Sequence, residues 1–230
     1  SRLYKVQTLD IKAMTAHEED ILSSPALIKK GETVNTLIRS CLQDKSIDVN
    51  EMLLGDRNAL MISIRVTGYG PDYKTSFVCP QCDHVNKEVV DLSSLSINFL
   101  ELEPTKKGTN SFEFTLPVTK KKGLFRFLTV GVEKEITASR EAMSKHFDVE
   151  VENNVTANLE KQIVAIDGVT DKNKIKHFVQ YMPAFDSRSL RRYIKDNEPG
   201  IKMHHNLVCS ACSGASTVLV PMSREFFWPT

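Results

Sequence analysis

The sequence predicts an α+β chain: short N-terminal helices, a β region that carries two Cys-x-x-Cys turns, and a helical insertion between those turns. Three observations predict it. Apolar residues recur at helical spacing over residues 12–68 and again over 133–200. Between and after these blocks the pattern changes to alternation with period two. Four of the five cysteines form two pairs, Cys79/Cys82 and Cys209/Cys212, each flanked by β pattern. The expected divisions are 1–70 for an N-terminal arm and helices, 71–132 plus 201–230 for the β region, and 133–200 for the insertion.

Leu3 to Ile11 reads as a strand or extended arm. Thr15 and Glu18 fit a capping box that opens a helix through Leu22. Ser24-Pro25 starts a second helix and Gly31 ends it. Val34, Leu37, Ile38 and Cys41 define an amphipathic helix by their i, i+3, i+4, i+7 spacing. After Gly55, Asp56 is expected to cap a helix with Leu60, Met61, Ile64 and Thr67 on its apolar face. Gly68 to Asp72 breaks it. Strands are expected at Lys74–Val78, Lys87–Leu92 and Ile97–Leu102. Phe112, Phe114, Leu116 and Val118 alternate into a hairpin over 111–132, with its turn at Lys120–Gly123 and a return strand from Leu124 to Val132. Helical faces follow. Ile136, Met143 and Phe147 share one; Val155, Leu159, Ile163 and Ile166 share another; Ile175, Phe178, Val179 and Met182 share a third, ended by Pro183. Asp186 is expected to cap a last helix bearing Leu190, Tyr193 and Ile194. The chain then returns to strands at Met203–Val208 and Ser216–Val220, so strand–Cys-x-x-Cys–strand occurs twice.

Composition narrows the function classes. The 230 residues are 41% hydrophobic and 26% charged, which excludes collagen-like, low-complexity and disordered chains. No run approaches the ~20 apolar residues of a membrane span, and no signal-peptide centre is seen, so a cytosolic product is expected. A net charge of +1 supplies no global field for nucleic acid or an anionic membrane.

The cysteine pairs carry the most specific chemistry. An odd cysteine count without a signal peptide argues against a disulfide framework. A tight turn points both sulfurs of a pair one way, and two such knuckles can hold one Zn²⁺ tetrahedrally. Cys79, Cys82, Cys209 and Cys212 are thus the candidate ligands of a structural zinc in a zinc-ribbon-like β region. Residues 83–208 separate the pairs, where a compact ribbon has ~15–20. Two alternatives stand beside this: metal-free turns and a redox pair. A redox pair belongs at a helix N-terminus, whereas β residues follow both pairs here. His84, His204 and His205 are spare ligands or, on the plainer reading, polar turn residues. Cys41 lies on an apolar stripe and reads as a small buried hydrophobe.

No phosphate-binding loop, dinucleotide fingerprint or nucleophile elbow is present. Asp56-Arg57-Asn58 is the one polar cluster that suggests a site, and helix capping accounts for it. Lys120, Lys121, Lys122 and Arg126 read as a solvated hairpin turn. Arg188, Arg191, Arg192 and Lys195 mark a basic helical face suited to an acidic partner. At the C-terminus, Phe226, Phe227 and Trp228 either anchor a partner or seal the chain's own core.

A series of motifs then occurs in order: Glu18-Glu-Asp-Ile-Leu22, Leu27-Ile-Lys-Lys-Gly31, Leu53-Leu-Gly-Asp-Arg-Asn-Ala-Leu60, Gly68-Tyr-Gly-Pro-Asp-Tyr73 and Cys79-Pro-Gln-Cys82. Leu116-Pro117 and Arg126-Phe-Leu-Thr-Val-Gly131 continue it. The series resembles the T4-type baseplate protein family of contractile-tailed bacteriophages. The resemblance implies a hub subunit or hub assembly protein that works by contact with other baseplate hub proteins. It implies a place in the host cytoplasm during assembly and in the virion tail. It carries no catalytic residues, no small-molecule substrate and no membrane span. The reading from another class is a zinc-ribbon module that binds nucleic acid. Near-zero charge and the lack of interleaved basic and aromatic residues on the β segments count against it.

Overall fold

A computed structural model describes residues 8–146, 154–222 and 224–227. In chain order the elements are α1 (Ala16–Ser23), α2 (Pro25–Lys30), α3 (Thr33–Cys41), α4 (Leu54–Tyr69), β1 (Asp72–Val78), β2 (Val85–Asp91), β3 (Ile97–Asn98), β4 (Phe112–Thr115), β5 (Lys122–Phe125), α5 (Val130–His146), α6 (Asn154–Gln162), β6 (Ile163–Ile166), α7 (Lys172–Gln180), α8 (Ala184–Asn197), β7 (Gly200–Ile201), β8 (His204–Val208), β9 (Ala215–Leu219) and α9 (Arg224–Phe227). The architecture is α+β, as expected. No helix among the described residues is long and apolar enough to cross a membrane.

The chain divides into two compact units. One, the aromatic unit, takes in 48–56 and 99–199. The other, the knuckle unit, takes in 9–47, 57–98 and 200–230. The segment between the cysteine pairs is therefore a unit from residue 99 onward. The sequence pattern begins the insertion at 133 and places the 112–125 strands in the β region, whereas the unit takes in those strands as well.

In the aromatic unit β4, β5 and β6 form an antiparallel sheet in that order. Phe112, Phe125 and Phe127 pack with ring centroids 5.0–5.4 Å apart. Leu116, Leu159, Ile163, Ile166, Ile175, Val179, Leu190 and Ile194 complete the core. Gly123 is not a turn residue. It sits in β5 opposite Phe114, where a Cβ would lie 2.5 Å from the Ala165 carbonyl oxygen. The turn lies before it, with Lys120 at φ 56°.

Several expectations fail here for identifiable reasons. Ile163 and Ile166 do not continue the helical face of Val155 and Leu159. α6 stops at Gln162, and Ile-Val-Ala-Ile, with three β-branched residues in four, becomes the third strand. The return strand ends at Phe125, and Val130 already begins α5. The strand expected over 97–102 shrinks to Ile97–Asn98, because Leu100 and Leu102 pack against the aromatic core instead. Phe147 lies outside the described residues, and of Met143 only its place in α5 is described. Residues 48–56 also join this unit rather than the N-terminal helices: Val130 N–H donates to the Met52 carbonyl at 2.9 Å, and Leu54 N–H to that of Leu128 at 3.2 Å. Asp186 does not cap its own helix. Pro183 is the N-cap of α8, and the buried Asp186 carboxylate accepts from Val118 N–H at 2.7 Å and from Thr119 N–H and Oγ1 at 3.1 and 2.8 Å.

In the knuckle unit the N-terminal signals hold. The capping box at Thr15 and Glu18 opens α1, and Gly31 at φ 65° closes α2. Glu18 is fully buried and accepts from Lys12, Ser40 and Thr15. Burial alone would raise its pKa. Those hydrogen bonds outweigh burial and hold the carboxyl well below the usual range. Leu37, Ile38 and Cys41 face inward from α3. Burial, above all, pushes the Cys41 thiol up to about 11, as expected of an inert core cysteine. α4 starts at Leu54, three residues earlier than a cap at Asp56 would allow, so Asp56 sits in its first turn rather than at its cap. Thr67 back-bonds to Ser63 at 2.9 Å, and the inward position falls to Arg65 instead. Its guanidinium donates to the carbonyls of Gly70 and Asp72 at 2.7 and 3.0 Å, tying the end of α4 to the start of β1. β1 pairs with β2, β8 with β9, and β3 with β7, all antiparallel.

Candidate metal centre

Each cysteine pair sits at the tip of a two-stranded hairpin, and the two tips have the same backbone. In the first, Val78 pairs with Val85 before the turn; in the second, Val208 pairs with Ala215. Cys79 N–H donates to the His84 carbonyl at 2.9 Å, and Asp83 N–H returns to that of Cys79 at 3.0 Å. Cys209 N–H donates to Gly214 at 3.0 Å, and Ser213 N–H returns to Cys209 at 2.9 Å. The residue after each second cysteine is left-handed, Asp83 at φ 57° and Ser213 at φ 58°. Asp is among the residues that tolerate this region best. The turn aims both sulfurs of a pair the same way and presents backbone amides to them. One is Gln81 N–H, 3.4 Å from Cys79 Sγ. In both pairs the first cysteine is buried and the second exposed.

The two tips face each other. Cys79 Sγ lies 3.8 Å from Cys212 Sγ, and Cys82 Sγ lies 3.6 Å from Cys209 Sγ. All four sulfurs lie within 4.8 Å of one another. A tetrahedral Zn²⁺ with Zn–S bonds of ~2.3 Å needs sulfur–sulfur edges of about 3.8 Å. The donor set, its number and its spacing therefore fit one zinc ion.

The electrostatics point the same way. Hydrogen bonds from the amides of Cys212 and Ala211, outweighing burial, pull the Cys209 thiol below its ordinary value. Cys82 receives a backbone hydrogen bond from His84, but the thiols of Cys212, Cys209 and Cys79, together with burial, push it up. Sulfurs this close cannot all ionise unless a cation shares the space, because each thiolate suppresses the next.

The histidines take no part in the cluster. His205 stacks on Phe77 at 5.4 Å with its Nε2 4.0 Å from Glu88, and His84 contributes its carbonyl. Asp56, Arg57 and Asn58 lie in the opening turns of α4, where Arg57 reaches Asn58 Oδ1 at 3.5 Å. Of the lysine turn, Lys121 pairs with Asp167 at 2.6 Å. Phe226 is fully buried, edge-on to Tyr73 at 5.2 Å, and Phe227 is nearly so. Their rings lie in the core of their own chain, so the sealing account fits both of them. Trp228 lies outside the described residues.

Sequence reading missed Asn86. It is buried, and its side chain reaches across to the second knuckle. The available signal was its position: a polar residue on the inner side of β2, in period-two step with Glu88 and Val90. Period-two reading treats such a residue as a gap.

A family model described as "T4 bacteriophage base plate protein" matches residues 3–228. No curated protein and no solved structure matches the chain.

Proposed function

The chain belongs to the T4 bacteriophage base plate protein family, and from that premise we propose that it is a non-enzymatic structural or assembly protein of the baseplate hub. The observation that carries this reading is the family match over residues 3–228. Membership implies a tail component that contacts other phage proteins. The hub proteins of the baseplate are the proposed partners, met in the host cytoplasm during assembly.

The second part of the proposal is a structural zinc held by Cys79, Cys82, Cys209 and Cys212. Four sulfurs within 4.8 Å of one another support it. Four thiolates close the coordination sphere and leave no position for water or substrate, so such an ion stabilises and does not catalyse.

The test is co-expression of the tagged chain with the baseplate proteins of its phage, followed by mass spectrometry of the co-purified proteins and of mature particles. Recovery of hub proteins supports the reading. A chain that recovers none of them, yet binds DNA with an affinity that falls steeply with salt, overturns it in favour of a nucleic-acid module.

A further inference from the structure

Building on the zinc reading, we propose that Asn86 is the positioning residue of the metal centre: it holds the second knuckle in place and hydrogen-bonds directly to the Cys209 ligand sulfur. Asn86 belongs to β2 of the first hairpin, where it pairs with Phe77. Its amide uses every donor and acceptor it has. Oδ1 accepts from Ser210 N–H at 2.8 Å and from Ser210 Oγ at 3.0 Å. Nδ2 donates to Cys209 Sγ at 3.6 Å and to the His84 carbonyl at 3.2 Å. The amide's orientation is fixed by the Ser210 N–H, which requires an oxygen opposite it.

The near-symmetry of the hairpins isolates this contact. Asn86 lies opposite Phe77, two residues before Cys79. In the second hairpin the matching place is Ser216, opposite Leu207, two residues before Cys209. Ser216 Oγ is buried without a hydrogen-bond partner among the described residues. The same direction recurs at Gln81, which approaches the Ala215 carbonyl at 3.5 Å and occupies the space a side chain at Gly214 would need. Both bridging side chains thus leave the first hairpin and end on the second knuckle. One hairpin acts as the template and the other is docked onto it.

A hydrogen bond to a ligand sulfur fixes its rotamer and stabilises its charge, and the loss of such a contact costs 10–100-fold in metal affinity. The experiment is zinc titration of the full chain against a competing chelator, with the cobalt-loaded protein read by its thiolate-to-cobalt charge-transfer band. Wild type should take up one zinc. Asn86→Ala should bind about 10–100-fold more weakly. Asn86→Asp keeps the acceptor for Ser210 but offers Cys209 no donor, so its affinity should fall and its cobalt band should move. Ser216→Ala should match wild type on both counts. A wild type that binds zinc, with Asn86→Ala equal to it in affinity and spectrum, overturns this proposal and leaves the zinc reading intact. A wild type that takes up no zinc overturns the zinc reading itself. Should the alanine variant fail to fold, the aspartate variant decides, and an unmoved band there overturns the proposal.

Discussion

The aromatic unit and the knuckle unit both contain antiparallel strands, and they hold them in opposite ways. In the aromatic unit three strands share one sheet, and Phe112, Phe125 and Phe127 pack beneath it against α6, α7 and α8 residues such as Leu159, Val179 and Leu190. In the knuckle unit the strands come as separate two-stranded ribbons. An isolated hairpin is at best marginally stable in water. The two hairpins bury only one face, with Tyr73, Phe77, Val90 and Leu207, and leave Val78, Val85, Val89 and Val208 exposed on the other. The difference teaches where a cross-link is needed. A sheet that packs on helices needs none, whereas paired ribbons need one, and four sulfurs meet where the two ribbons' tips face each other.

The largest expected effect breaks the comparison outright. Removing the proposed zinc, by a chelator or by Cys79→Ser, should unfold the two hairpins and spare the aromatic sheet. Structural zinc contributes on the order of 10 kcal/mol in small zinc-dependent folds. Hydrogen exchange at single amides is the measurement. Protection should vanish across 72–91 and 204–219 and persist across 112–125 and 163–166. Retained protection in the hairpins after complete zinc removal would show that the ribbons stand without their cross-link.

A smaller effect sharpens the comparison from the other side. Phe125 is fully buried and contacts four aromatic rings. Phe125→Ala should destabilise the aromatic unit by about 3–5 kcal/mol, through lost burial and the cavity left behind. Zinc affinity should stay at the wild-type value. The checks are denaturant unfolding and zinc titration on one sample. A parallel loss of zinc affinity would show that the two units do not keep separate accounts of stability.

How much of this was legible in the sequence follows from the range of each interaction. The cysteine turns were readable because both sulfurs of a pair lie within four residues, and the flanking alternation is equally local. The capping box at Thr15 and Glu18 and the stop at Gly31 were readable for the same reason. Ile163 and Ile166 were misread because helix and strand meet inside one apolar run, with no Gly or Pro between them. Asp186 was assigned to the nearest helix end, although its donors, Val118 and Thr119, lie more than sixty residues away. Asn86 escaped because its partners, Ser210 and Cys209, lie beyond the 99–199 segment of the aromatic unit in sequence. A one-dimensional pattern shows what a residue is next to in the chain. These three depend on what it is next to in space.

The smallest effect concerns acid. In the aromatic unit, burial alone would raise the Asp186 pKa, but the amides of Val118 and Thr119, the Thr119 hydroxyl and nearby Lys120 hold it below the ordinary carboxylate range. Glu18 is held down in the same manner in the knuckle unit. A carboxylate whose folded pKa is depressed binds fewer protons than its unfolded form. Its stabilising contribution is therefore complete above the unfolded value near 4 and is lost as pH falls through the folded value. Asp186→Asn replaces an acceptor with an amide that turns one donor toward the donors of Val118 or Thr119. It should cost about 1–3 kcal/mol at pH 6. At pH 3 the wild-type carboxylate has begun to lose its advantage, so the gap between the two proteins should narrow. Denaturant unfolding at both pH values, followed by exchange in 112–125 and 163–166, measures that gap in the aromatic unit alone. An equal gap at pH 6 and pH 3 would mean that Asp186 acts through shape and hydrogen-bond count rather than through its charge.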